Sequence, residues 1–148
     1  MKKLLLISWL IIVAFSGAAG ATEQVKSQQV SVVDAWLRVA PNKVAGGFFE
    51  IINDSDEDLN IVSAVAVGAK TVELHSHKMT NGVMKMRKQE FVHLPAKSSL
   101  SFNPHSYHLM MFKLDNDLFN VGKFVHVVLT LSDGSEVEVK FLVKKFGA

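Results

Sequence analysis

The sequence contains no cysteine. That excludes a disulfide framework, so an exported chain of this composition must be held together by its core alone. A helical pattern is also missing: nowhere do apolar residues keep a 3.6-residue period for three turns. No stripe of basic and aromatic residues supports nucleic-acid binding. There is no G-x-S-x-G, no nucleotide-binding glycine loop and no H-E-x-x-H. The acids crowd into one loop, Asp54 to Asp58, which reads as a solvated turn, so an enzyme is not expected.

The chain opens MKKLLLISWLIIVAFSGAAGATE. Lys2 and Lys3 form a positive n-region, and Leu4 to Phe15 an apolar h-region broken only by Ser8. Ala19-Gly20-Ala21 supplies an A-x-A cleavage site. Residues 1–21 are therefore predicted to be a secretory signal peptide, the apolar run being too short to cross a bilayer. Neither a twin arginine nor a lipobox cysteine is present, which points to a soluble periplasmic product with no membrane span after cleavage. Of 148 residues, removal of the first 21 leaves 127, residues 22–148, enough for one domain with its own core. Losing Lys2 and Lys3 takes 16 basic residues to 14, against 14 acidic ones, so the apparent basicity belongs to the targeting segment.

What remains is a series of short apolar runs separated by turn residues. The runs fall at 29–40, 45–53, 61–67, 71–77, 83–87, 91–95, 99–103, 108–114, 123–131 and 136–144, with Ser132-Asp133-Gly134-Ser135 a hairpin signal. Residues 114–122 could hold a short helical turn. About nine closely spaced strands predict an all-β, single-domain Greek-key sandwich or barrel.

Two segments stand out, HSHKMTNGVMKM (75–86) and HSYHLMM (105–111). They hold five of the six methionines and four of the six histidines. Strand side chains alternate, so His75 and His77 share a face opposite Leu74, Met84 and Met86 share a face, and His108 and Met110 share one opposite Leu109 and Met111. Thioether is a weak, soft, neutral ligand that selects Cu(I) and offers little to zinc, calcium or magnesium, while imidazole suits copper well. A set of two imidazoles and two thioethers would carry no ligand charge and would leave Cu(I) at +1, near solvent. Such a site also works where free thiolates would oxidise. An electron-transfer centre of the blue-copper kind is excluded, because it requires cysteine. Taken singly, each methionine reads as core and each histidine as surface; His93, His126 and Met111 fit that reading.

The spacing H-x10-M-x21-H-x-M, set by His75, Met86, His108 and Met110, resembles the signature of the PCuA(C) family of periplasmic copper chaperones. With His and Met at about 4 % each, the pattern would arise by chance on the order of once in several thousand chains. Asp34-Ala35-Trp36-Leu37-Arg38 and its following small-residue strand, VELHSHKMTNGVMKMR (72–87), and the grouping of Pro104, Tyr107, His108 and Met110 are also similar to that family. The resemblance covers most of residues 22–148. It implies a cupredoxin-like β-barrel that binds Cu(I) through His75, Met86, His108 and Met110. It further implies delivery of copper to the CuA centre of cytochrome c oxidase, with an oxidase subunit or an assembly factor as the accepting partner. Many relatives carry a Met/His-rich C-terminal extension; the sequence here reads VKKFGA, so a second copper site there is not expected. The residues leave two other readings open, a copper-sequestering tolerance protein and a metal-free secreted β-sandwich acting as a binding module. The parts played by His77, Met79, Met84 and His105 are likewise open.

Overall fold

Alternating and β-branched runs become ten strands in the computed structural model, which describes residues 29–145 and Gly147. The predicted signal peptide, residues 1–21, lies outside the described residues. In chain order the strands are β1 (Val30–Val39), β2 (Ala45–Asn53), β3 (Leu59–Ala66), β4 (Ala69–Thr80), β5 (Val83–Gln89), β6 (Val92–Leu94), β7 (Ser98–Phe102), β8 (Tyr107–Leu114), β9 (Phe124–Leu131) and β10 (Glu136–Lys144). The expected all-β class is what the chain adopts, with ten strands rather than about nine. No helix occurs among the described residues. The segment expected to hold a helical turn makes only one turn, where Leu118 and Phe119 N–H groups donate to the Asp115 carbonyl.

Hydrogen bonding runs β5-β4-β8-β7-β2-β1-β10-β9-β3-β6, and β8 also pairs with β2. The pairings β1–β10 and β7–β8 are parallel and the rest antiparallel. Neighbours distant in sequence, β4 beside β8 and β1 beside β10, are connections of the Greek-key kind. Both halves of the sheet turn their apolar face to one core. Phe49 of β2 stacks on Phe102 of β7 with centroids 4.2 Å apart and meets Phe141 of β10 edge-on at 5.6 Å. Leu37, Ile51, Ile61, Leu94, Leu109, Met111 and Leu129 are fully buried with them. Each such side chain contributes roughly 1.5–3 kcal/mol of burial.

A bulge in β1 controls the face opposite this core. Val33 pairs with Glu50, but Trp36 pairs with Phe48, so Asp34 and Ala35 together oppose Phe49. Asp34 takes a left-handed φ of 53°, which an aspartate tolerates better than a branched residue. The extra residue lets Val32 and Leu37, five apart, both face the core. Trp36 is thereby turned to the outer face, where its ring packs on Phe48 at 4.5 Å. Replacing Asp34 by valine should therefore cost roughly 1–2 kcal/mol of stability, while Asp34→Gly should remain within about 0.5 kcal/mol of wild type. Urea denaturation of both variants checks this; equal losses would remove the bulge as the cause.

Candidate metal centre

The outer face of β5, β4 and β8 gathers the histidines and methionines. In the β4–β8 ladder His75 lies directly opposite His108 and Glu73 opposite Met110. In the β4–β5 ladder His77 lies opposite Met86 and Met79 opposite Met84. Directly opposed side chains have Cβ atoms about 4.5–5.5 Å apart, and diagonal ones somewhat more. The ring centroids of His75 and His108 are 5.7 Å apart, and those of His77 and His108 are 4.9 Å apart. The intervening residues Leu74, Leu109 and Met111 point the other way and are buried in the core. Alternation read from the sequence thus places His75, Met86, His108 and Met110 on one face of three adjacent strands.

The hydrogen bonds settle which ring nitrogens are bare. Glu73 is held below the usual carboxylate range by hydrogen bonds from His75 and then from Lys88. Being ionised it can only accept, so His75 Nε2–H donates to its Oε2 at 2.8 Å, and Lys88 Nζ donates to Oε1 at 3.0 Å. In the neutral tautomer that this bond selects, Nδ1 is the nitrogen without a proton. His108 Nδ1–H donates to the Ser106 carbonyl at 3.1 Å, leaving Nε2 bare. Burial pushes the His108 ring below the ordinary imidazole range, a shift that the Ser106 hydrogen bond opposes and the neighbouring His77 and His75 rings add to. Among the described residues, the buried side-chain polar atoms lacking a hydrogen-bond partner are three: His75 Nδ1, His77 Nδ1 and His108 Nε2. All three lie on this face.

Beside them opens a cleft of about 500 Å³, lined among others by Phe48, His77, Met86, His105, His108 and Met110. His75 does not line it; its ring is engaged with Glu73. Gly46 faces Met110 across the β2–β8 ladder, and a Cβ there would stand 3.0 Å from the Phe48 ring, so glycine allows that ring to fold over the site. Among the described residues no three His, Asp or Glu side chains converge on a metal position, and the other donors on this face are thioethers. Two imidazoles with bare buried nitrogens beside two thioethers fit a soft monovalent cation.

The residues left open by the sequence separate. His77 and His105 border the cleft, whereas Met79 and Met84 form an exposed pair farther along the β4–β5 hairpin. His93 is exposed and bonded to Asn60, and His126 is exposed on β9. Glu73, Trp36 and Phe48 escaped the sequence reading. Glu73 was accessible to it, since it shares parity with His75 and His77 on one strand; Trp36 was not, because the bulge reverses its face.

The sequence matches the family model LpqE-like, described as a lipoprotein family, over residues 30–143. No curated protein sequence matches. Among solved structures, the copper-bound PCuAC domain from PmoF2 superposes with a TM-score of 0.66 at 16 % identity, covering 79 % of this chain and 93 % of that one. The solution structure of CuI-DR1885 from Deinococcus radiodurans gives 0.60 at 26 % identity, covering 86 % and 87 %. Apo-DR1885 from the same organism gives 0.59 at 23 %, covering 97 % of each chain. The resemblance to copper-chaperone domains seen in the motifs is thus met in the fold. With the family model matched from β1 into β10, the chain belongs to the LpqE-like family and is built on the fold of the PCuAC domains.

Proposed function

We propose that the protein is a periplasmic copper carrier that holds Cu(I) between His75, Met86, His108 and Met110. It passes the ion to an acceptor, a cytochrome c oxidase subunit or an assembly factor serving the CuA centre. The observation that carries this reading is the pair of buried, unpartnered nitrogens on His75 and His108, two residues directly opposed on β4 and β8, with Met86 and Met110 beside His108 in the cleft. Leaving a buried acceptor unpaired costs about 1–3 kcal/mol, and a coordinated ion would offset that cost. Thioether excludes the hard divalent ions, and the absence of thiolate keeps the ligand set neutral. Glu73, ionised behind His75, balances the single positive charge and orients the ring as a carboxylate commonly does for a metal-binding histidine. The copper in the PmoF2 domain and the Cu(I) in the Deinococcus protein support the choice of metal. Among the described residues no helix is long and apolar enough to cross a membrane.

A carrier must bind tightly and still release. Met86 is half exposed on β5, so an incoming thiolate can reach the ion there and displace one weak ligand at a time. Competition titration with Cu(I) should show Met86→Ala and His108→Ala weakened by about tenfold to a hundredfold; affinities equal to wild type would remove these residues from the site. Acidification provides a second check. Because the folded protein holds His108 below the ordinary imidazole value of 6.5, the ring stays unprotonated somewhat below that pH. Apo stability should fall as pH drops below about 6.5, where the unfolded chain takes up the proton first. His108→Gln should flatten that fall in denaturation curves taken between roughly pH 7 and 5.

A further inference from the structure

His77 has the same features that mark His75 and His108. Its Nδ1 is buried and without a hydrogen-bond partner. Its ring is nearer to His108 than that of His75 is, with centroids 4.9 Å apart against 5.7 Å. It lies directly opposite Met86 and, unlike His75, it lines the cleft together with Met86, His108 and Met110. A single orphan nitrogen can be an accident of packing, but three on one face, two residues apart on β4 and across the ladder on β8, form a row of donors.

We propose that His77 is a copper ligand that alternates with His75. This rests on the copper reading above. His75, His77 and His108 do not converge as a three-nitrogen site, so the two β4 imidazoles take turns rather than act together. The ion remains on His108 and the thioethers while its β4 ligand changes. In the inner state it is held by His75, whose ring is braced by Glu73. In the outer state it is held by His77 at the cleft, opposite Met86. The exchange breaks one Cu–N bond and forms another, with no change in oxidation state and no proton transferred. Strand geometry makes the step short, because i and i+2 side chains project from the same face of β4. The outer state is the one from which an acceptor takes the metal.

The test uses the full mature chain and Cu(I) itself. Affinity by chelator competition, the copper K-edge absorption spectrum and the rate of transfer to a dithiol chelator are measured for wild type, His75→Ala, His77→Ala and the double variant. His77→Asn repeats the measurement with a side chain closer in size to the original. Because two alternating states add their association constants, the expected result is that those of the His75→Ala and His77→Ala variants sum to about the wild-type value, that each keeps a mixed nitrogen and sulfur shell, and that the double variant loses far more than the product of the two. Transfer from His77→Ala should also be slower than from His75→Ala. If both His77 variants match wild type in affinity, spectrum and transfer rate, and His75→Ala already equals the double variant, His77 is a bystander and the inference falls. If His108→Ala and Met86→Ala also bind as wild type does, the copper reading itself falls.

Discussion

The register between β4 and β8 is the constraint on which the rest depends. Pairing His75 with His108 and Leu74 with Leu109 sends the leucines into the core and the imidazoles to the outer face. Because strand side chains repeat every two residues, a slip of β4 by one residue would turn His75 into the core and Leu74 out of it while His108 stayed where it is. Burial of Leu74, Leu109 and Met111 therefore supplies the energy that holds the candidate ligands in place. Core packing and site assembly are the same event seen from opposite sides of one sheet.

Electrostatics adds direction to that geometry. A neutral imidazole can ligate only through the nitrogen that lacks a proton, and its other nitrogen's hydrogen bond decides which one that is. Here Glu73 and the Ser106 carbonyl make the choice for His75 and His108 in opposite senses, leaving Nδ1 bare on one ring and Nε2 on the other. Burial of His108 reinforces the arrangement, since it disfavours the charged ring that could not bind a cation. Burial thus favours the unprotonated ring of His108 while leaving its Nε2 without a hydrogen-bond partner.

Much of this was legible in the sequence because period-two alternation is a local property. ELHSH, VMKMR and HLMMF each assign their own faces, and the turn residues between them mark where strands end. The all-β class follows from the same pattern. What stayed hidden depends on pairing between distant segments. That His77 is nearer to His108 than His75 is reflects the side chains' orientations in the assembled sheet, which spacing along the chain does not encode. The facing of Trp36 was hidden because one left-handed residue, Asp34, shifts the count by one within a strand that otherwise reads as regular. The short helical turn expected within 114–122 is present as a single turn closed on the Asp115 carbonyl, and it does not extend into a helix.

The candidate donors differ in burial. The imidazole donors sit inside, His108 almost fully buried and His75 braced by Glu73. The weaker thioether of Met86 sits on β5, which is the edge strand of the sheet and is half exposed there. An edge strand has one free side, so its side chains are the ones a partner reaches first. Beyond Met86 the hairpin continues with the Lys78–Lys85 pair on the other face and then with Met84 and Met79, both exposed. On the copper reading proposed above, an acceptor approaching along β5 would meet the Met86 thioether before the buried His108.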